Sequence, residues 1–201
     1  MEIEEVVEMS KKVIQEQDKQ NCGHSPTFFI EDGEGRWNLI VIPLESEGVE
    51  HKNLAVEALS NVVDQSSCKR YFSIFVGWSV KQEKVKKKIE ERFEDLKDNH
   101  GEKKFYDFCE YAEKVAKAKS PSEHPDRIEV LVVSDIKKGE LSNAIIVPIT
   151  RDGGKLSFGK QENIQGGNTF DRFNVWAQYQ IDLNDEVKNN GKENKEKYKE
   201  K

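Results

Sequence analysis

An α+β fold is predicted for this chain: a single mixed, mainly antiparallel sheet covered by helices and carrying an inserted helical hairpin. Three observations lead there. Some stretches repeat their apolar residues with a period of two and others with a helical period. Strand-like runs that neighbour one another in sequence can pair antiparallel through short turns. The regular strand and helix alternation of a parallel sheet is missing, with only one helix placed to permit a crossover. The 201 residues suit one domain, expected over residues 1–183, with a charged tail at 184–201.

Residues 2–20 place Ile3, Val6, Val7, Val13 and Ile14 among charges, with Ser10 between the two clusters, as an amphipathic helix would. After a turn-rich break, Thr27 to Ile30 and Arg36 to Leu44 read as two strands joined through Gly33-Glu34-Gly35. Trp37, Leu39 and Val41 alternate with Asn38, Ile40 and Ile42, so both faces of the second strand are apolar and it is expected to be central. Leu54, Ala55, Ala58, Leu59, Val62 and Val63 step by three and four, predicting a helix over 52–65 that covers one sheet face. Tyr71 to Trp78 is β-branched and aromatic, a third, largely buried strand.

At Lys81 the composition changes. Residues 81–119 hold 12 Lys+Arg and 10 Asp+Glu, with Val85, Ile89, Phe93 and Leu96 on one stripe and Phe105, Phe108, Ala112 and Val115 on another. Two helices follow, broken at Asn99-His100-Gly101. They read as a solvated cover packed on their own domain, with dimerisation or partner binding as the alternative. Residues 120–126, with Pro121 and Pro125, are expected to be an extended link. Arg127 to Ile136 and Ala144 to Ile149 make a second hairpin, and Asp152-Gly153-Gly154 turns into a short last strand at 155–158. The spacing of Phe170, Phe173, Val175 and Trp176 does not decide between helix and strand. Residues 184–201 are nearly all polar and cannot repay the entropy of ordering by apolar burial.

The net charge of −6 disfavours a broad grip on nucleic acid phosphates. No apolar run is long enough to span a bilayer, and no basic segment followed by an apolar run opens the chain, so a soluble cytoplasmic protein is expected. Cys22, Cys68 and Cys109 are odd in number and widely spaced, which suits reduced thiols. Cys22-Gly23-His24 could supply two metal ligands, although loose Cys and His residues in a polar loop more often bind no metal. No cofactor motif is found: the glycine pairs lack the flanking residues of a phosphate loop, and no Gly-x-Ser-x-Gly elbow occurs. His51 precedes Lys52-Asn53 where a zinc nucleobase deaminase needs His-x-Glu, and the Pro-Cys-x-x-Cys of that chemistry is missing.

One cluster remains, Pro121-Ser122-Glu123-His124-Pro125-Asp126-Arg127-Ile128-Glu129 at the entry to a strand. His124 and Asp126, with Glu123 or Glu129, can ligate a metal or run acid-base chemistry. The same residues can form a rigid turn in which Asp126 caps backbone amides and Arg127 pairs with a nearby carboxylate. Trp78, then Pro-Ser-Glu-His-Pro-Asp-Arg and the following Glu, then Arg-Asp-Gly-Gly at 151–154, resembles a family of small prokaryotic and phage-borne proteins with no assigned activity. The resemblance covers residues 25–160, and the helical pair is longer here than the link in that family. It implies no catalytic role for any residue.

Three functions are compatible with these features. The first is a non-enzymatic accessory protein with a protein partner, or self-associating, through residues 81–119. The second is a metal-dependent hydrolase or nuclease using His124 and Asp126, with Asp152 as a further carboxylate. The third, nucleic-acid binding by Lys84 to Lys88 with Trp78 stacking, is opposed by the interleaved glutamates. Trp78, Glu123, His124, Asp126, Arg127 and Glu129 are the candidate ligand or partner surface. Trp78 is expected beside the His124 to Glu129 segment because the two flank the helical insertion, and it reads as a core aromatic or as a contact residue.

Overall fold

The computed structural model describes residues 1–20, 22–43, 49–98, 102–165 and 175–176. These residues form four α-helices and seven strands in the order α1 (Ile3–Lys19), β1 (Thr27–Glu31), β2 (Trp37–Val41), α2 (Val49–Gln65), β3 (Arg70–Ser79), α3 (Gln82–Asp98), α4 (Glu102–Lys117), a 3-10 turn (Pro121–Glu123), β4 (Ile128–Lys137), β5 (Asn143–Asp152), β6 (Lys155–Phe158) and β7 (Glu162–Gln165). The strands form one antiparallel sheet in the order β2-β1-β3-β4-β5-β6, with β7 pairing to β5. The protein is α+β, with the inserted helical pair in place.

The helix over 49–65 does cross over, joining β2 to β3. Both are antiparallel to β1, which lies between them, so the two run in the same direction without touching and no parallel pair arises there. The expectation of a central β2 fails: among the described residues β2 is an edge strand, and Leu39 and Val41 are 59% and 53% exposed. Apolar residues on both faces report what covers a strand above and below, not what lies beside it. The ten-residue β3, with Tyr71, Phe72 and Ile74 all buried, flanks β1 on its other side and holds the interior position.

The chain divides into two compact units. The first comprises Met1–Val76, Leu131–Val147 and Phe158–Lys201; the second comprises Gly77–Val130 and Pro148–Ser157. In the first, α2 lies on one sheet face, where Ala55, Leu59 and Val63 pack with Phe28, Ile30, Tyr71, Ile136 and Trp176. Trp176 sits edge-on to Tyr71 at 5.2 Å, and the Tyr71 hydroxyl accepts from Val175 N–H at 3.0 Å. Val175 and Trp176 are in a turn; the rest of 170–174 and the tail at 184–201 lie outside the described residues.

Arg70 and Phe72 point to the other face. There the Arg70 fork grips Asp135 with two 2.9 Å bonds, and its guanidinium lies 4.8 Å over Phe72 and 5.8 Å from Trp37. The start of α1 adjoins this pair around a polar cleft of about 380 Å³ that Asn143, Asn163 and Gln165 also line. Helix α1 keeps the predicted stripe, with Val6, Val7, Ser10 and Ile14 buried, but Val13 falls off it at 54% exposed. Ser10 belongs inside because its hydroxyl donates to Val6 C=O at 2.7 Å, which removes the cost of burying it. Strand β7 has no counterpart in the sequence reading; its residues are exposed and polar apart from Ile164, so no period marks it.

The second unit contains α3, α4, the 3-10 turn, the adjoining ends of β3, β4 and β5, and most of β6. The β5–β6 turn needs Gly153 and Gly154, whose φ values of +55 and +80 are those of a tight hairpin turn. Residues 120–126 are not the extended link expected. Pro121 opens a 3-10 turn because its fixed φ suits a first helical position; only the residues before proline, Ser120 and His124, are extended.

Candidate functional site

The segment 121–129 lies within the second unit, and its polar side chains have definite partners. The 3-10 turn at Pro121–Glu123 delivers His124 into a buried position, 7% exposed, where His124 Nδ1 accepts from Asp126 N–H at 3.0 Å. That ring nitrogen is therefore an unprotonated acceptor. Glu123 turns back to accept from Lys119 N–H at 2.9 Å.

The Asp126 carboxylate does not cap backbone amides as the sequence suggested. One oxygen accepts from Lys88 of α3 and the other from Tyr111 of α4, so a single side chain ties both helices to the strand entry. Lys88 Nζ also lies 4.9 Å over the Tyr111 ring, and the Arg92 guanidinium lies 4.3 Å over it. Burial pushes the Asp126 carboxyl up, but the bonds from Lys88 and Tyr111 outweigh it and hold the group below the ordinary carboxylate range. Burial and the bond to Asp126 together raise the Tyr111 hydroxyl to about 12, so it remains a donor at neutral pH. The described residues contain no group of three or more His, Cys, Asp or Glu side chains placed to hold a metal ion.

Arg127 does not take the carboxylate partner expected of it. Its guanidinium lies 4.9 Å over the Trp78 ring and donates to Ser122 C=O. Trp78 and the His124 to Glu129 segment are thus neighbours, and Trp78, 43% exposed, is a surface aromatic rather than a core one. Glu129 is paired with Arg151, which donates to both carboxylate oxygens at 2.9 and 3.1 Å. Burial raises the Glu129 carboxyl.

Sequence reasoning missed Lys88, Tyr111 and Arg151. Lys88 sits in a run of lysines that nothing distinguishes by type, and Arg151 lies twenty-two residues from its partner. Tyr111 could have been found, since it falls on the stripe of Phe108, Ala112 and Val115, where a hydroxyl needs a polar neighbour.

On the helices themselves only Val85 and Tyr111 are buried among the described residues. Phe93 of α3 meets Phe108 of α4 at 6.2 Å yet remains 51% exposed, and Phe105 and Tyr106 are 55% and 69% exposed with their rings 6.2 Å apart. The thiols are free: Cys68 is buried, which pushes it up to about 11 and keeps it unreactive, while Cys22 and Cys109 are exposed. No helix of the described residues is long and apolar enough to cross a membrane. Compared with models of known families, with curated proteins and with solved structures, the chain matches none.

Proposed function

We propose that this is a non-enzymatic cytoplasmic interaction protein that holds a protein partner through α3 and α4. The observation that carries the reading is the trio of exposed aromatic rings, Phe93, Phe105 and Tyr106, on a helical pair that is dense in charge. Large aromatic rings left more than half exposed mark contact surfaces, because their burial supplies much of the energy of an interface. The groups able to do chemistry support the same reading. His124 Nδ1, Asp126, Glu123 and Glu129 each have an intramolecular hydrogen-bond partner, which gives them a structural role in this unit. Asp126 then serves as the anchor that presents the hairpin, and Trp78 with Arg127 forms an aromatic and cationic surface in the same unit.

The test is affinity capture from lysate of the source cell, read by quantitative mass spectrometry. Wild type is expected to retain a partner that the double variant Phe93→Ser, Phe105→Ser loses by tenfold or more, with circular dichroism unchanged. Equal capture by both proteins would refute the assignment of the hairpin as the contact surface.

A further inference from the structure

Among the described residues strand β2 ends the sheet, and its pairing with β1 determines which backbone groups it leaves open. The register sets Phe28 opposite Ile40 and Ile30 opposite Asn38. The bonds just beyond the strand ends, Asp32 N–H to Arg36 C=O at 2.9 Å and Ile42 N–H to Pro26 C=O at 3.0 Å, belong to the same alternating set. Antiparallel pairs alternate between positions that exchange hydrogen bonds and positions that do not. The N–H and C=O groups of Trp37, Leu39 and Val41 therefore point away from β1. Among the described residues no strand flanks β2 on that side. The side chains there are apolar too, with Leu39 and Val41 more than half exposed.

What matches a row of outward amides and carbonyls is another strand. Natural edges are usually blunted by a charge, a proline or a bulge. Trp37-Asn38-Leu39-Ile40-Val41 has no ionisable residue and no proline, and it pairs with β1 in unbroken register.

We propose that β2 pairs antiparallel with β2 of a second copy of this chain about a two-fold axis at Leu39, joining two sheets edge to edge. The segment is complementary to itself in that arrangement. Leu39 faces Leu39 and Trp37 faces Val41, so on the exposed face every cross-strand pair is apolar. All three outward residues meet outward residues, giving about six backbone hydrogen bonds between copies. Charge favours this place as well: the chain carries −6 overall, and copies that repel elsewhere meet here along a stretch with no charge to oppose.

The full-length protein is tested by sedimentation velocity over a wide concentration range. Wild type is expected to reach twice the monomer mass, and Leu39→Lys, which adds a charge at the two-fold and leaves the β1 bonds intact, is expected to sediment as a monomer with an unchanged circular dichroism spectrum. A second arm uses Leu39→Cys in a Cys22→Ser, Cys109→Ser background, where mild oxidation should link two copies through residue 39. A wild type that stays monomeric overturns the proposal. So does a dimer that survives Leu39→Lys, or one that Phe93→Ser with Phe105→Ser abolishes instead, which would place self-association on the hairpin. If Leu39→Lys fails to fold, the oxidation arm decides, and failure to cross-link there overturns the proposal. Because β2 and the hairpin are different surfaces, loss of partner capture with the dimer intact would tell against the proposed function alone.

Discussion

Asp126 shows how a residue with catalytic potential is spent on structure. Its two oxygens collect a lysine from one helix and a tyrosine from another, and replacement by asparagine would remove the charge while keeping the shape. Asp126→Asn should cost roughly 1–2 kcal/mol, toward the low end because Lys88 is partly solvated. The pH dependence follows from the sign of the shift. The folded pKa is depressed, so the stabilisation is complete above the unfolded value of about 3.9 and disappears as pH falls through the lower folded value. Denaturant titrations of wild type and Asp126→Asn should therefore differ at neutral pH and converge in acid. A difference that persists unchanged at acid pH would show that the carboxylate charge is not the source. Trp78 gives a second test at this scale. Its exposed ring and the overlying Arg127 imply that Trp78→Ala costs about 0.5–1 kcal/mol, where a core tryptophan would cost about 3–5 kcal/mol; thermal denaturation distinguishes the two.

At the scale of elements, α3 and α4 are held by few buried side chains, Val85 and Tyr111, together with the tie to Asp126. The buried cluster around α2 includes no residue of 81–119. A deletion of 81–119 closed by a short linker is therefore expected to keep the strand signal in far-ultraviolet circular dichroism and to lose helix signal in proportion to the residues removed. Collapse of the strand signal would mean that the hairpin is needed for the sheet to fold. The helices were readable because their apolar stripes have a helical period and the stretch is dense in charge. The role of β2 was not, since a five-residue strand can be apolar on both faces at an edge or at a centre, and only the folded sheet shows that, among the described residues, β2 has a neighbour on one side alone.

For the whole molecule, burial is uneven. The bulkiest fully buried side chains, among them Phe28, Tyr71, Phe72, Leu131 and Val133, all belong to the first unit, whereas the helices of the second unit bury little. Hydrogen exchange should follow this division, with the amides of β1 and of the first-unit parts of β3 and β4 slowest and those of α3 and α4 faster by at least about tenfold. Uniform protection across the two units would contradict it. The α+β class, the helical insertion, the two strand hairpins and the closeness of Trp78 to Arg127 followed from the sequence alone, because apolar period, turn glycines and chain connectivity are local or nearly local properties. The partners of Asp126, Glu129 and Arg70, and the edge position of β2, were decided only by the tertiary structure. A carboxylate chooses among many cations, and a strand among several neighbours, by distances that the folded chain alone sets.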